Sequence, residues 1–138
     1  AGDQQARVLS KLFEEGKVDV VFAGHVHNYQ RTFPLKFAVR QFDLKKSKEV
    51  DGAWQLDRKF DGRTNTKPDG IIYLVTGAGG NRLYDGDQDS NEKSWKEFTV
   101  KFISKTHSLT SVEIDGGRAS FRQITRTGKV VDEFVIAK

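Results

Sequence analysis

Apolar residues along this chain change period from helical to alternating within its first quarter, and that change sets the expected architecture. Val8, Leu9, Leu12 and Phe13 recur at helical spacing behind Asp3, an N-cap residue type, and ahead of Gly16, a C-terminal stop. Residues 18–23, VDVVFA, then place five apolar residues in six. A short run apolar on both faces predicts a strand inside a parallel sheet covered by helices. Helix, turn and strand make half of a βαβ unit whose first strand would precede residue 1. Residues 36–44 alternate as an exposed strand, 45–48 and 51–52 read as a turn, and 54–60 as the returning strand of a hairpin. The stretch 61–70 is rich in Asp, Gly, Asn and Thr and reads as loop, its charges solvated surface. A second buried strand, IIYLVT at 71–76, runs into Gly77-Ala78-Gly79-Gly80-Asn81. Residues 98–103, 109–114, 119–124 and 130–136 alternate as strands, and Asp115-Gly116-Gly117 is a hairpin signal, so the tail reads as an antiparallel meander. The fold class is α/β, with one N-terminal helix and then mostly β-strands in mixed, largely antiparallel pairing. Residues 1–138 are expected to form a single, incomplete domain.

Chemistry concentrates where the first strand stops. Gly24 permits a tight turn or a close approach of backbone to a ligand, and His25 and His27 follow it. An α/β sheet collects its ligands beyond the carboxyl ends of its strands, which is where this pair falls. Neutral imidazole suits zinc, iron and manganese, yet a catalytic metal needs three or more protein ligands. Taken alone, such a pair is as readily two half-buried histidines satisfied by backbone carbonyls. Asn28, Tyr29, Gln30 and Arg31 add hydrogen-bonding groups just past it and favour a site. Elsewhere the signals are weaker. The glycine cluster at 77–80 meets neither a P-loop nor a dinucleotide pattern and reads as a tight turn between strands. Asp85, Asp87 and Asp89 alternate as in a calcium loop, but Gly86 falls between the first two and no closing glutamate is in place, so a mobile acidic loop is the better reading. His107, with no partner at ligand spacing, reads as structural or substrate-lining.

The segment GHVHNYQRT at 24–32 resembles the last metal-binding motif of the calcineurin-like metallophosphoesterases, and its tail with Tyr29 and Arg31 is most similar to the purple acid phosphatase branch. VTGAGGN at 75–81 is similar to a segment found after the histidine motif in that branch. The resemblance implies the carboxyl-terminal portion of a metallophosphoesterase α/β sandwich and phosphoester hydrolysis of acid phosphatase type at a dinuclear centre, iron with zinc, manganese or iron. His25 and His27 would each bind one metal and so act catalytically, the two ions stabilising the attacking and leaving oxygens. Asn28, Tyr29 and Arg31 would line the site. The family's other ligands, on Asp-x-Gly, Gly-Asp and Gly-Asn-His-type motifs, have no counterpart here, so they would come from outside this chain. Tyr29 is not the family's tyrosinate ligand, which sits on an earlier motif. A non-catalytic β-rich binding module, or a zinc-dependent interaction module, is the alternative.

Composition adjusts this picture in a few places. The absence of cysteine excludes disulfides and a thiol nucleophile, and the absence of methionine with Ala1 in first place suggests a processed chain or a piece of a longer one. A net charge of +4 favours an anionic partner, which a phosphorylated small molecule or phosphoprotein satisfies. Basic residues are not interleaved with aromatics in one block, which argues against a nucleic-acid surface. No apolar run is long enough to span a membrane. The remaining partner would be the rest of a longer chain or a second copy, covering the edge of the 18–23 strand. The resemblance favours a secreted or periplasmic compartment.

Overall fold

In the computed structural model, which describes residues 4–43 and 48–138, the alternation along one strand generates two cores. Strand β1 (Val20–Ala23) precedes β2 (Tyr29–Thr32), β3 (Leu35–Gln41), β4 (Asp51–Leu56) and β5 (Ile72–Thr76). On β5, Ile72 and Leu74 face one way and are fully buried, and Tyr73 faces the other. Among the described residues β5 is central to a four-stranded sheet, with β1 parallel on one side and β2 antiparallel on the other. The fourth strand is β6 (Thr99–Ile103), antiparallel to β2. A second sheet is the meander β7 (Ser108–Asp115), β8 (Arg118–Thr125) and β9 (Val130–Ala137).

The meander lies over one face of the four-stranded sheet. Tyr29, Ile72, Leu74 and Ile103 meet Phe60, Phe121, Phe134 and Ile136 there, with Phe121 stacked on Phe134 at 4.5 Å. The opposite face carries the β3–β4 hairpin and the helix, where Leu35, Phe37 and Val50 pack with Tyr73, Trp54 and Phe98. The expected α/β class, one helix followed by mixed and mainly antiparallel strands, is the one observed.

Several elements depart from expectation in detail. The helix begins as a 3-10 turn (Gln5–Leu9) before α1 (Ser10–Glu15), and it leaves Leu9 and Leu12 exposed. Asp3, the expected N-cap, lies outside the described residues, as does most of the expected turn at 45–48. Gly16 ends α1, but Lys17 takes the left-handed conformation at φ 53°. Gly52 pairs with Val39 and so belongs to β4 and not to a turn, and a Cβ there would lie 2.3 Å from the Phe37 ring and 2.6 Å from Ala38 O. The returning strand stops at Leu56 because the Asp57 carboxylate accepts the Lys59 and Phe60 N–H groups and turns the chain. β6 leaves the meander to join the other sheet. β1 stands at the edge of its sheet, with Phe22 49% exposed, where its apolar pattern predicts an interior strand.

One carboxylate ties the two sheets together. Asp132 of β9 accepts the Tyr29 hydroxyl at 2.8 Å and two Arg31 donors, Nε at 2.7 Å and a terminal guanidinium nitrogen at 2.9 Å. The Arg31 and Asp132 side chains are only 10% and 8% exposed, and the guanidinium lies 4.8 Å from the Phe134 ring centre. Burial works against the Arg31 charge, but Asp132 outweighs it and raises the pKa on balance. Burial first, then the neighbouring carboxylate, push the Tyr29 phenol up, so it stays a donor.

Asp132→Ala should lower stability by about 3–5 kcal/mol, since it strands a buried guanidinium, and Tyr29→Phe by about 1 kcal/mol. Because the Tyr29 pKa is raised by folding, its contribution is complete below about pH 10 and declines as pH rises further. Urea denaturation of the wild type from pH 8 to 11 should show that decline, and Tyr29→Phe should reduce it.

Candidate metal centre

The loop joining β1 to β2 presents both histidines at the carboxyl end of β1. Val26 N–H bonds to Gly24 C=O and Asn28 N–H to Val26 C=O, each at 2.9 Å, so the segment is a pair of tight bends. The turning cost is carried by His25 at φ 69°, although Gly24, free of any neighbour within 4 Å of a Cβ, is the residue whose chemistry suits it. A non-glycine residue held in this conformation costs on the order of 1–2 kcal/mol, a cost that surrounding structure has to support. Here that support comes from the next segment. Gly77 N–H donates to Asn28 C=O at 3.0 Å, and a Cβ on Gly77 would sit 2.1 Å from Val26 O. The glycine cluster therefore does not join adjacent strands. Its first member lets the chain leaving β5 pass directly beneath the histidine loop.

His27 is fixed on three sides by residues 82–84. Its Nδ1 lies 2.8 Å from Arg82 C=O, its ring stacks on Tyr84 at 4.2 Å between centres, and its C=O accepts Tyr84 N–H at 3.0 Å. A carbonyl can only accept, so Nδ1 carries a proton, and in the neutral ring Nε2 keeps its lone pair. This is the orientation in which a ligating histidine gives its second nitrogen to a backbone carbonyl. His25 is exposed beside it. Among the described residues no group of three or more His, Cys, Asp or Glu side chains converges.

The other residues expected to line the site divide between two directions. Tyr29 and Arg31 turn into the protein interior toward Asp132. Asn28 is fully buried, its Oδ1 accepting Gln30 Nε2 at 3.1 Å while its Nδ2 has no partner. Sequence reasoning missed Tyr84, whose only signal was an aromatic residue following the glycine cluster. His107 Nε2 lies 3.0 Å from Asn81 C=O, which brings it to the same loop. In the acidic stretch Asp89 is committed to the N–H groups of Ser104 and Lys105, at 2.6 and 2.8 Å.

Substituting Gly77 by alanine should cost about 1–3 kcal/mol through a backbone clash, while alanine at Gly79 or Gly80, where space is open, should change stability by less than about 0.5 kcal/mol. Chemical denaturation of the three variants checks this.

Comparison with known proteins agrees with the architecture. No family model matches the chain. It is 26% identical, over 94% of its length, to "Probable inactive purple acid phosphatase 1" of Arabidopsis thaliana, covering 18% of that protein. Over 54% of its length it is 36% identical to "Probable inactive purple acid phosphatase 27" of the same plant, covering 10% of it. Over the same share it is 33% identical to a "Nucleotide pyrophosphatase/phosphodiesterase" of Hordeum vulgare, covering 16%. Its fold superposes on the purple acid phosphatase PPD1 of yellow lupin seeds with a TM-score of 0.62 at 20% identity, over 94% of this chain and 19% of that one. The chain thus spans about a fifth or less of the length of these relatives. The chain is thus similar in sequence to proteins named as purple acid phosphatases, the Arabidopsis ones as probable inactive members, and it shares its fold with part of one of them.

Proposed function

We propose that this chain contributes His25 and His27 to the metal centre of a phosphoesterase of acid phosphatase type, completed by ligands outside the chain. The observation that carries this reading is the state of His27. Its Nδ1–H is spent on Arg82 C=O and its ring plane is set by Tyr84, so the nitrogen left over is a metal-type donor. The strained backbone at His25 is a second sign that the loop is shaped for more than connection. Two imidazoles fit the chemistry of iron, zinc or manganese but fall short of the three ligands such a centre needs. Ions held there would supply Lewis acidity toward a phosphoryl oxygen. This chain's own part is to hold two imidazole rings at a strand end and to offer a net positive charge to a phosphorylated small molecule or phosphoprotein. No helix among the described residues is long and apolar enough to cross a membrane.

A second reading, a non-catalytic or zinc-dependent interaction module, is favoured by the word "inactive" in the names of the Arabidopsis relatives. Turnover separates the two readings. The isolated chain should not hydrolyse a phosphomonoester above background with iron, zinc or manganese supplied. In a longer polypeptide carrying the remaining ligands, His25→Ala and His27→Ala should each remove metal and activity, and Tyr29→Phe should leave metal content intact. Elemental analysis showing stoichiometric metal in both histidine variants would overturn the proposal. Metal lost in both, with no turnover in the parent, would establish the second reading.

The remaining ligands would arrive along the open flank of the sandwich. Phe22 on the edge strand β1 is 49% exposed, and Val112 and Ile114 on β7, which share the inward face with Phe121, are 41% and 74% exposed. An unpaired strand edge beside apolar surface calls for a polypeptide partner, either the rest of a longer chain or a second copy. Light scattering at micromolar concentration should detect self-association of the isolated chain, and Phe22→Lys should reduce it. A monomer with a cooperative melt would count against this placement.

A further inference from the structure

We propose that His107 is a positioning residue for His27, acting through the loop at residues 77–84; this rests on the reading of His27 as a metal ligand. The two histidines lie far apart in sequence, on the β1–β2 loop and just before β7, yet they bond to consecutive carbonyls, His107 Nε2 to Asn81 O at 3.0 Å and His27 Nδ1 to Arg82 O at 2.8 Å. What lies between the loop's other supports explains why the first bond matters to the second. Upstream, Gly77 N–H is held by Asn28 C=O and Ala78 C=O by Ser108 N–H. Downstream, Tyr84 N–H is held by His27 C=O. Gly79 and Gly80 intervene, both exposed, with nothing within 4 Å of where a Cβ would stand. Consecutive glycines without packing neighbours are the most conformationally free stretch a chain can contain. Besides the local bond from Arg82 N–H to Asn81 Oδ1 at 2.7 Å, His107 supplies, among the described residues, a side-chain bond from outside the loop that closes this stretch before Arg82. His107 is in turn held by its own backbone, whose C=O accepts Arg126 N–H at 3.0 Å, so the meander sheet is the fixed frame from which the loop is aimed.

Because each acceptor is a carbonyl, the bonded proton sits on Nδ1 in His27 and on Nε2 in His107, so the two rings, when neutral, are opposite tautomers. That gives a readout independent of metal and of turnover. In the histidine-labelled chain, long-range proton–nitrogen correlation should show the two opposite patterns, with His27 ring protons shifted by Tyr84. His107→Ala should drive His27 toward tautomer averaging and diminish the Tyr84 shift, while β7–β9 amide signals hold. His107→Gln, which returns a donor of similar reach, should restore both.

Zn²⁺ titrated alone into the chain should bind more weakly to His107→Ala, by roughly 10-fold or more, the usual effect of removing an outer support of a ligating histidine. An unchanged His27 tautomer and ring shift in folded His107→Ala would overturn the proposal. So would equal loss of the β7–β9 amide pattern in the alanine and glutamine variants, since His107 would then serve the sheet and not the loop. If His107→Ala disturbs His27 as described but His27→Ala in the longer polypeptide keeps stoichiometric metal, the positioning role stands and the metal assignment is what fails.

Discussion

A buried carboxylate with three donors around it is the constraint on which the arrangement of this molecule depends. Asp132 lies between two sheets that, among the described residues, share no backbone hydrogen-bond ladder, and it reaches across to Tyr29 and Arg31 on alternate positions of β2. Apolar contact alone would hold the sheets together but would tolerate sliding, because dispersion and hydrophobic burial are not directional. A fork-shaped guanidinium meeting a carboxylate fixes both distance and angle. The stacked pair Phe121 and Phe134 fills the space beside it and keeps water from weakening the pair.

That fixed register reaches the histidines through a short path. Tyr29 is two residues after His27, so anchoring β2 from below also anchors the carboxyl end of the histidine loop. β5 supplies the second hold, through Gly77 and Asn28. The loop is thus braced by the sheet that carries it and by the chain leaving the neighbouring strand. A strained residue such as His25 can persist in such a setting because its surroundings over-determine its backbone.

Much of this was legible in the residues. The strands at 71–76 and in the tail show clean apolar patterns, and their positions agree with β5, β7, β8 and β9 to within a residue or two. The histidine pair at a strand end was visible for the same reason. Sheet membership was not legible, because the alternation in 98–103 says that β6 has two faces and nothing about which neighbour it takes. Asp-Gly usually marks a turn, and the crowding of Gly52 by the Phe37 ring and Ala38 O across the β3–β4 pair is a non-local reason for glycine that the sequence does not display. Tyr29 and Arg31 are polar residues following a ligand motif, a pattern shared by site-lining groups and by groups that bond inward. Their inward direction depends on Asp132, about a hundred positions away, and no local pattern encodes such a pairing.

The stretch from Asp61 to Thr66, whose composition suggests mere surface, has a consequence for how this fold can grow. Its backbone takes up the outer side of β9, with Val135 N–H on Gly62 C=O at 2.8 Å and Ala137 N–H on Thr66 C=O at 3.0 Å. Asp61 winds the strip into shape by accepting the N–H groups of Arg63, Thr64 and Asn65. One rim of the meander is thereby sealed against template-driven extension, the route by which exposed strands seed fibrils. Growth of the meander by strand addition is left to its opposite rim, and a polypeptide joining that sheet is steered to the side where β7 lies.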